Sequence, residues 1–309
     1  MISRKEFLKR SISLAAGSAL MGPAALAGSS RETVLTILYT NDTHARLDPI
    51  PDHAIEHSGL GGIARRANLV KQIRNKQSNV LLLDAGDVFQ GTPWFDLYGG
   101  EVDLKLMSEM KYDAMAVGNH EFDNGLESFA STADHADFPV LAANYSVLNT
   151  PLDGVVQRFM VKEIAGIRVG IFGLGIELNG VVDPGLFGAV RSRDPEVWAN
   201  GMVRSLRQYH NCDVVICLSH LGYSYDDNRM DDVTLAEQVG GIDFIIGGHT
   251  HTFLDHPVKV ENPDGKLTLV TQMGHSGIRL GRIDLIIDRY LEDRPDGIQT
   301  EYYTIGKPS

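Results

Sequence analysis

The chain alternates short, continuously apolar runs with longer stretches in which apolar positions recur every three to four residues. The short runs fall at 34–39, 80–83, 114–117, 140–142, 169–172, 214–218 and 244–246. They are rich in β-branched residues and read as strands. The longer stretches, at 63–74, 103–110, 126–136, 197–209 and 233–239, have the spacing of helices with one buried face. A continuous apolar run has no polar side to give to water, so its strand is expected to be covered on both faces. Strands alternating with helices therefore predict an α/β layered domain. From about residue 257 the pattern changes to strands separated by turns, at 258–260, 267–272, 280–287 and 301–305. Between the first two, Asn262-Pro263-Asp264-Gly265 is a hairpin signal. No internal repeat, low-complexity tract or interdomain linker is visible, which predicts one domain over residues 28–309.

Residues 1–27 stand apart from this pattern. Arg4, Lys5, Lys9 and Arg10 form a basic head before an apolar, small-residue run that starts at Ser11. Ala25-Leu26-Ala27 then offers a cleavage site ahead of Gly28, so the segment reads as an export signal. Its Ser3-Arg4-Lys5-Glu6-Phe7-Leu8-Lys9 stretch resembles the twin-arginine signal with lysine in place of the second arginine. The twin-arginine and general export routes both stay open, and either gives a periplasmic or extracellular protein of a bacterium. Gly17, Gly22, Pro23 and several serines make the run a poor and short membrane span, so no stable span is expected.

Composition narrows the partners. Setting aside Arg4, Lys5, Lys9, Arg10 and Glu6 takes the formal charge of the 309-residue chain from −12 to −15. A surface of that sign repels nucleic-acid polymers and anionic lipid, and no basic stripe compensates. The two cysteines, Cys212 and Cys217, lie five apart in one apolar run. In a strand they would be about 16 Å apart, too far for a disulfide, and they read as core thiols.

Five short polar islands each follow an apolar run. They are Asn41-Asp42-Thr43-His44, Asp84-Ala85-Gly86-Asp87, Gly118-Asn119-His120-Glu121-Phe122-Asp123, Ser219-His220 and Gly247-Gly248-His249-Thr250-His251. In an α/β sheet the ligand crevice lies outside the carboxyl ends of the strands, so five strand ends could bring these residues to one rim. Asp42 and His44, like His249 and His251, are two apart, and an extended backbone would point both members of a pair to one side. Carboxylates, imidazoles and an amide, with one carboxylate able to bridge, suit a pair of divalent cations. Taken singly, Asp84 is ordinary turn chemistry, His220 a core histidine and Asn119 a helix cap; within the set, His220 favours the ligand reading and Asn119 a metal or phosphate contact. Glu121 reads as structural. His53, His57, His135, His210, His256 and His275 match no ligand position, although His275 could border the pocket. Trp94, Tyr223 and Tyr225 lie in loops and read as packing.

These islands, with Gly61-Gly62-Ile63-Ala64-Arg65, resemble the calcineurin-like metallophosphoesterases, and within them the catalytic domain of the bacterial 5′-nucleotidase and UDP-sugar hydrolase branch. The resemblance runs from about Thr33 to the Leu280-Gly281-Arg282-Ile283-Asp284 strand. It implies a four-layer α/β/β/α sandwich with a dinuclear site at the sheet edge. It also implies that Asp42, His44, Asp87 and His251 hold one ion and Asp87, Asn119, His220 and His249 the other, with Asp87 bridging. His120 and Asp123 match the family's His-Asp dyad. The expected reaction is attack of a metal-bridging hydroxide on phosphorus, with His120 stabilising charge or protonating the leaving group. The donor set accepts Mn, Zn, Fe or Co, and the sequence does not choose among them.

The substrate expected from the resemblance is a small, nucleotide-like phosphomonoester. The family's nucleotidases carry a second, base-binding domain, whereas this sequence ends about twenty residues after the 280–287 strand. A broad phosphatase or cyclic phosphodiesterase therefore stays open, as does the catalytic half of a split nucleotidase completed by a separate substrate-recognition polypeptide. Protein phosphatases of the superfamily have Asp-Arg-Gly where this chain has Asp87-Val88-Phe89-Gln90-Gly91, which disfavours that activity. A repair-type nuclease would need a basic groove. Outside enzymology, the competing account is a metal-binding protein that has lost turnover; His120 and Asp123, which hold no metal in the family scheme, argue against it.

Overall fold

In the computed structural model, which describes residues 32–288 and 297–306, the apolar runs become strands of two packed sheets. The expected export segment lies outside the described residues. Along the chain come β1 (Glu32–Thr40), β2 (Val80–Asp84), β3 (Ala114–Ala116) and β4 (Val140–Leu141). Next are β5 (Tyr145–Ser146), β6 (Val156–Gln157), β7 (Phe159–Ile164), β8 (Ile167–Gly175) and β9 (Arg191–Ser192). The last are β10 (Val214–His220), β11 (Phe244–Gly247), β12 (Val258–Glu261), β13 (Leu267–Thr271), β14 (Arg279–Asp288) and β15 (Gly297–Thr304). The first sheet has the order β15-β14-β1-β2-β3-β4-β6 and is parallel from β1 through β6. The second runs β12-β13-β11-β10-β8-β7, parallel at its centre with an antiparallel strand at each edge.

Side-chain alternation explains why the sheets pack. Leu35, Ile37 and Tyr39 of β1 and Val214, Ile216 and Leu218 of β10 are buried in one apolar layer between them. Leu38 turns to the opposite face of the first sheet, and Val215 and Cys217 to the opposite face of the second. Helices cover both outer faces. On the first lie α1 (Ile63–Lys76), α2 (Pro93–Tyr98), α3 (Glu101–Glu109), α4 (Gly125–Ala133) and the single turn α5 (Pro184–Phe187). On the second lie α6 (Pro195–Arg204) and α7 (Asp232–Gln238). In α1, Ile63, Ala67, Val70 and Ile73 face the core, the three-to-four spacing that marked it in the sequence. The arrangement is the α/β/β/α sandwich that the resemblance implies.

The hairpin forms as read. β12 and β13 pair antiparallel, Asn262 N donates to Lys266 O at 2.8 Å, and Gly265 takes a positive φ of 67°. The expected 197–209 helix divides instead. Its α-helical part ends at Arg204, and Ser205–Tyr209 winds as a π-helix closed by His210 N on Ser205 O at 3.1 Å. Cys212 and Cys217 are buried free thiols. Two-residue strands such as β5 and β9 and the short α2 and α5 were not legible, because they are too brief to show a period.

Candidate metal centre

The five islands meet, but from two sheets rather than one. β1, β2 and β3 deliver Asp42, Asp87 and Asn119, whereas β10 and β11 deliver His220, His249 and His251. Asp42 Oδ1 lies 4.0 Å from His44 Nε2, 3.9 Å from His220 Nε2 and 3.5 Å from His251 Nε2. Asp87 Oδ2 lies 3.0 Å from His220 Nε2. Two further donor pairs face each other at 2.8 Å: His44 Nε2 with His251 Nε2, and His249 Nδ1 with Asn119 Oδ1. Three sets have ligating atoms close enough to share an ion: Asp42, His44 and His251; Asp87, His220 and His249; and His44, Asp87 and His120. All seven sequence-derived ligands are therefore drawn together, and the third set places His120 beside them. Its Nδ1 is 2.8 Å from Asp123 Oδ2, and its ring stands edge-on to His44 at 5.3 Å. Asn119 caps no helix with its side chain; the amide oxygen points to His249 instead.

Extended, period-two backbone does not produce this convergence, contrary to the reading of Asp42 with His44 and His249 with His251. Those four residues have φ of 49°, 49°, 70° and 53°, and Asp87 has 55°. For residues other than glycine the left-handed region costs about 1–3 kcal/mol each, and such strain persists only where the surroundings over-determine it. Here they do: Asp42 N donates to Gly86 O at 2.9 Å, His44 N to Asp87 O at 3.1 Å and His249 N to both Asp42 carboxylate oxygens at 3.0 and 3.1 Å. Glycine supplies the remaining space. A Cβ on Gly118 would lie 2.2 Å from Asp87 Oδ1, and one on Gly248 would lie 2.8 Å from His220 Nδ1.

The floor of the site is buried and the roof is not. Asp42, Asp87 and His220 are inaccessible, whereas His44, His120 and His251 are progressively open. Burial alone would push Asp87 up, yet the His220 imidazole, with His120 and His44 behind it, holds its carboxyl below the usual range. Burial likewise opposes charge on His220, but Asp87 and then Asp42 outweigh it and push it up to about 10. Burial and the neighbouring His220 take His249 down to about 4.

The donors fit cations. His220 Nδ1 lies 2.7 Å from the Ala85 carbonyl, which can only accept, so that nitrogen carries the proton. Its Nε2 is buried beside the Asp87 carboxylate without an aligned hydrogen bond, and the raised pKa shows that the carboxylate calls for a positive charge there, a proton in the ion-free protein. A divalent ion would take the place of that proton, and the ring nitrogens and amide oxygen of the two facing pairs would supply further donors to it.

Three supporting residues had no clear signal in the sequence. Glu121 is fully buried and accepts the backbone N–H groups of Gly118, Asp87, Val88 and Phe89 at 2.6, 3.1, 2.8 and 3.3 Å, clamping the Asp87 loop. Burial, then Asp87, pushes its carboxyl up to about 7. Asn41 donates to Asp42 Oδ2 at 2.5 Å and to Gly274 O at 2.6 Å, and accepts from Met273 N at 2.8 Å. Asp232 lies behind Gly247 with neither oxygen in an aligned hydrogen bond; burial pushes it well above the usual range, which the neighbouring Ser219 side chain only partly offsets. Asp84 is structural, as read. Its Oδ2 accepts from Thr40 Oγ1 at 2.6 Å and its Oδ1 from Gly86 N at 2.9 Å. His275 does border the site, its ring 5.0 Å from that of His251. A cavity of about 510 Å³ lined by Val214 and Phe244 lies where β10 and β11 begin, at the far end of those strands from His220 and Gly247.

A model of the calcineurin-like phosphoesterase family matches residues 35–253. Over 292 residues the chain is 34% identical to a snake venom 5′-nucleotidase of Crotalus adamanteus, covering 86% of this chain and 47% of that protein. It is 36% identical over 251 residues to a 5′-nucleotidase of Homo sapiens, covering 76% and 42%. The crystal structure of a 5′-nucleotidase precursor from Thermus thermophilus superposes with a TM-score of 0.80 at 34% identity, over 88% of this chain and 55% of that one. The chain thus spans about half the length of the curated relatives it matches.

Proposed function

The chain belongs to the calcineurin-like phosphoesterase family, and from that premise we propose that it is a metal-dependent phosphoester hydrolase acting on nucleotide-like phosphomonoesters. The observation that carries this reading is the buried His220 Nε2 facing Asp87 without an aligned hydrogen bond, among the converging side chains of Asp42, His44, Asn119, His249 and His251. In it, Asp42, His44, Asp87 and His251 would hold one divalent ion and Asp87, Asn119, His220 and His249 a second, with Asp87 serving both. Bound ions would supply Lewis acidity toward the phosphoryl oxygens and acidify a solvent molecule enough to ionise near neutral pH.

The protein's own groups do the rest. Asp42 and Asp87 return two negative charges against the four of two divalent ions, so the pocket stays cationic in an acidic protein and suits a phosphate dianion. Asp123, 2.8 Å from His120 Nδ1, fixes that nitrogen as the donor and leaves Nε2 to hold or deliver a proton. Asp123 and Asp87 outweigh burial and raise the His120 pKa, which favours the imidazolium that a departing alkoxide needs. His120 N also donates to Asp87 Oδ1 at 2.9 Å, tying the proton donor to the shared ligand.

The relatives are about twice as long as the matched region, so recognition of the rest of a nucleotide by a further segment or a separate subunit belongs to this reading. Export, supported by the composition of residues 1–27, belongs to it as well. Among the described residues no helix is long and apolar enough to cross a membrane.

The test is metal analysis of the purified protein followed by turnover of nucleoside monophosphates, UDP-sugars, cyclic nucleotides and simple diesters. Phosphate release should vanish with chelator and return with metal, and Asp87→Ala should lose metal and turnover together. Metal-saturated protein inactive toward every ester would favour a binding protein without turnover, and a fully active Asp87→Ala would refute the site.

A further inference from the structure

The turn that carries His249 and His251 is bracketed by one fully buried side chain, Gln272. The parallel pairing of β11 with β13 ends with Ile246 against Thr271, so Gly247 and Gln272 leave their strands side by side. From there the Gln272 amide spans the turn. Its Nε2 donates to Gly248 O at 2.6 Å, and its Oε1 accepts from Thr250 Oγ1 at 3.1 Å and from Thr252 N. Those three groups lie just before His249, between the two histidines and just after His251. The partners fix which way the amide points, since a carbonyl can only accept and a backbone N–H only donate.

The turn needs such a bracket. His249 and His251 lie beyond the end of β11, and both take a left-handed φ that persists only where other bonds impose it. His249 N is tied to the Asp42 carboxylate. The turn's own bond, Thr250 N to Gly248 O at 2.9 Å, closes only its first half. The Gln272 amide joins the carbonyl before the pair to the N–H after it. The space beside it is tight: a Cβ on Gly247 would lie 2.0 Å from Asp232 Oδ2 and 3.2 Å from Gln272 Nε2. Only a side chain with both a donor and an acceptor suits position 272. A carboxylate would turn a second acceptor toward Gly248 O, and an apolar chain would take the acceptor away from Thr252 N.

We propose that Gln272 is a positioning residue of the metal centre, whose amide holds the two imidazoles of the turn in their converging orientation without touching an ion. The inference rests on the metal-centre part of the reading above. That reading gives His251 to one ion and His249 to the other, so losing the amide weakens both. Calorimetric titration of the metal-stripped full chain with Mn²⁺ tests the role. Gln272→Met, which keeps the length and removes the donor and the acceptor, should weaken Mn²⁺ binding about ten- to a hundredfold, the usual effect of losing a partner that orients a ligand. Gln272→Asn keeps a neutral amide but is one methylene too short to reach both flanks. It should weaken binding as well, and it carries the comparison if the methionine variant does not fold. Thr268→Val is the control. It removes a buried bond from the other end of β13, where Thr268 Oγ1 donates to Ile242 O at 2.8 Å, so it should lower Tm yet bind Mn²⁺ like the parent. Parental affinity in the Gln272 variants, or an equal loss in Thr268→Val, overturns the role. The titration needs no turnover: weakened binding in a protein that hydrolyses no ester would retain the role and reject the hydrolase reading, whereas a parent that binds no Mn²⁺ would reject the centre and this role together.

Discussion

His220 donates its Nδ1–H to the Ala85 carbonyl at 2.7 Å, and that bond decides which nitrogen faces Asp87. The carbonyl is fixed by the loop after β2, so the imidazole is held in one tautomer with Nε2 turned inward. His220→Gln removes the inward ligand. It should lower metal content measured by mass spectrometry and abolish the rise in Tm that Mn²⁺ gives the parent. Turnover should fall at least about a hundredfold, the loss of about 3 kcal/mol of transition-state stabilisation. Full metal content in the variant would show that Nε2 is not a ligand.

Glu121 acts on the same loop without touching an ion. Four N–H groups converge on its two oxygens, and Gln would turn a donor toward some of them. A buried donor left facing donors costs about 1–3 kcal/mol. Glu121→Gln should therefore unfold about 2–6 °C lower than the parent in a metal-free thermal melt, and should also bind metal more weakly, because Asp87 loses its support. An unchanged melt would mean that the loop is held by other bonds.

The contrast between Glu121 and His220 shows what the sequence could reveal. Residues of the candidate centre such as His220 and His249 were legible because each follows an apolar run, and strand ends are where an α/β fold gathers its chemistry. Glu121 sits within the same island but bonds only to backbone, and backbone donors carry no residue signature. The left-handed φ of Asp42, His44, His249 and His251 was hidden for a related reason. Nothing about aspartate or histidine demands it; it is imposed by hydrogen bonds from residues far along the chain. Trp94 read as loop packing because α2 is too short to show a period.

Buried acids outside the centre make stability depend on pH. Burial pushes Asp103 up to about 7 from a usual 3.8, and Arg66 is the charged neighbour that partly restrains it. Because the folded value is raised, the group's contribution is fully present below about pH 4 and is lost as pH rises toward 7. Asp103→Asn has no proton to lose. Its stability relative to the parent in urea denaturation of metal-free protein should rise between pH 5 and pH 8, by about 1.4 kcal/mol for each pH unit crossed below 7. Asp84, also raised to about 7 by burial, is present in both proteins and cancels in the comparison. A difference that is flat with pH would mean that Asp103 is ionised throughout.

Variants of the His120–Asp123 pair test whether chemistry can be separated from metal binding. His120 Nδ1 is committed to Asp123 at 2.8 Å, and the ring is partly open to solvent while the carboxylate floor is not. A proton donor of this kind contributes about 10²–10⁴-fold, so His120→Ala should lower kcat by that range while metal content stays at the parental level. Asp123→Asn should cost less, since it removes orientation and the raised pKa but leaves an imidazole in place. The two variants should also differ by substrate. An ester with a good leaving group such as p-nitrophenol needs little protonation, so His120→Ala should lose less on it than on a nucleoside monophosphate. Equal loss on both esters would assign His120 to charge stabilisation of the phosphoryl group, and loss of metal in His120→Ala would move it into the ligand set, a role within reach of its ring beside His44 and Asp87.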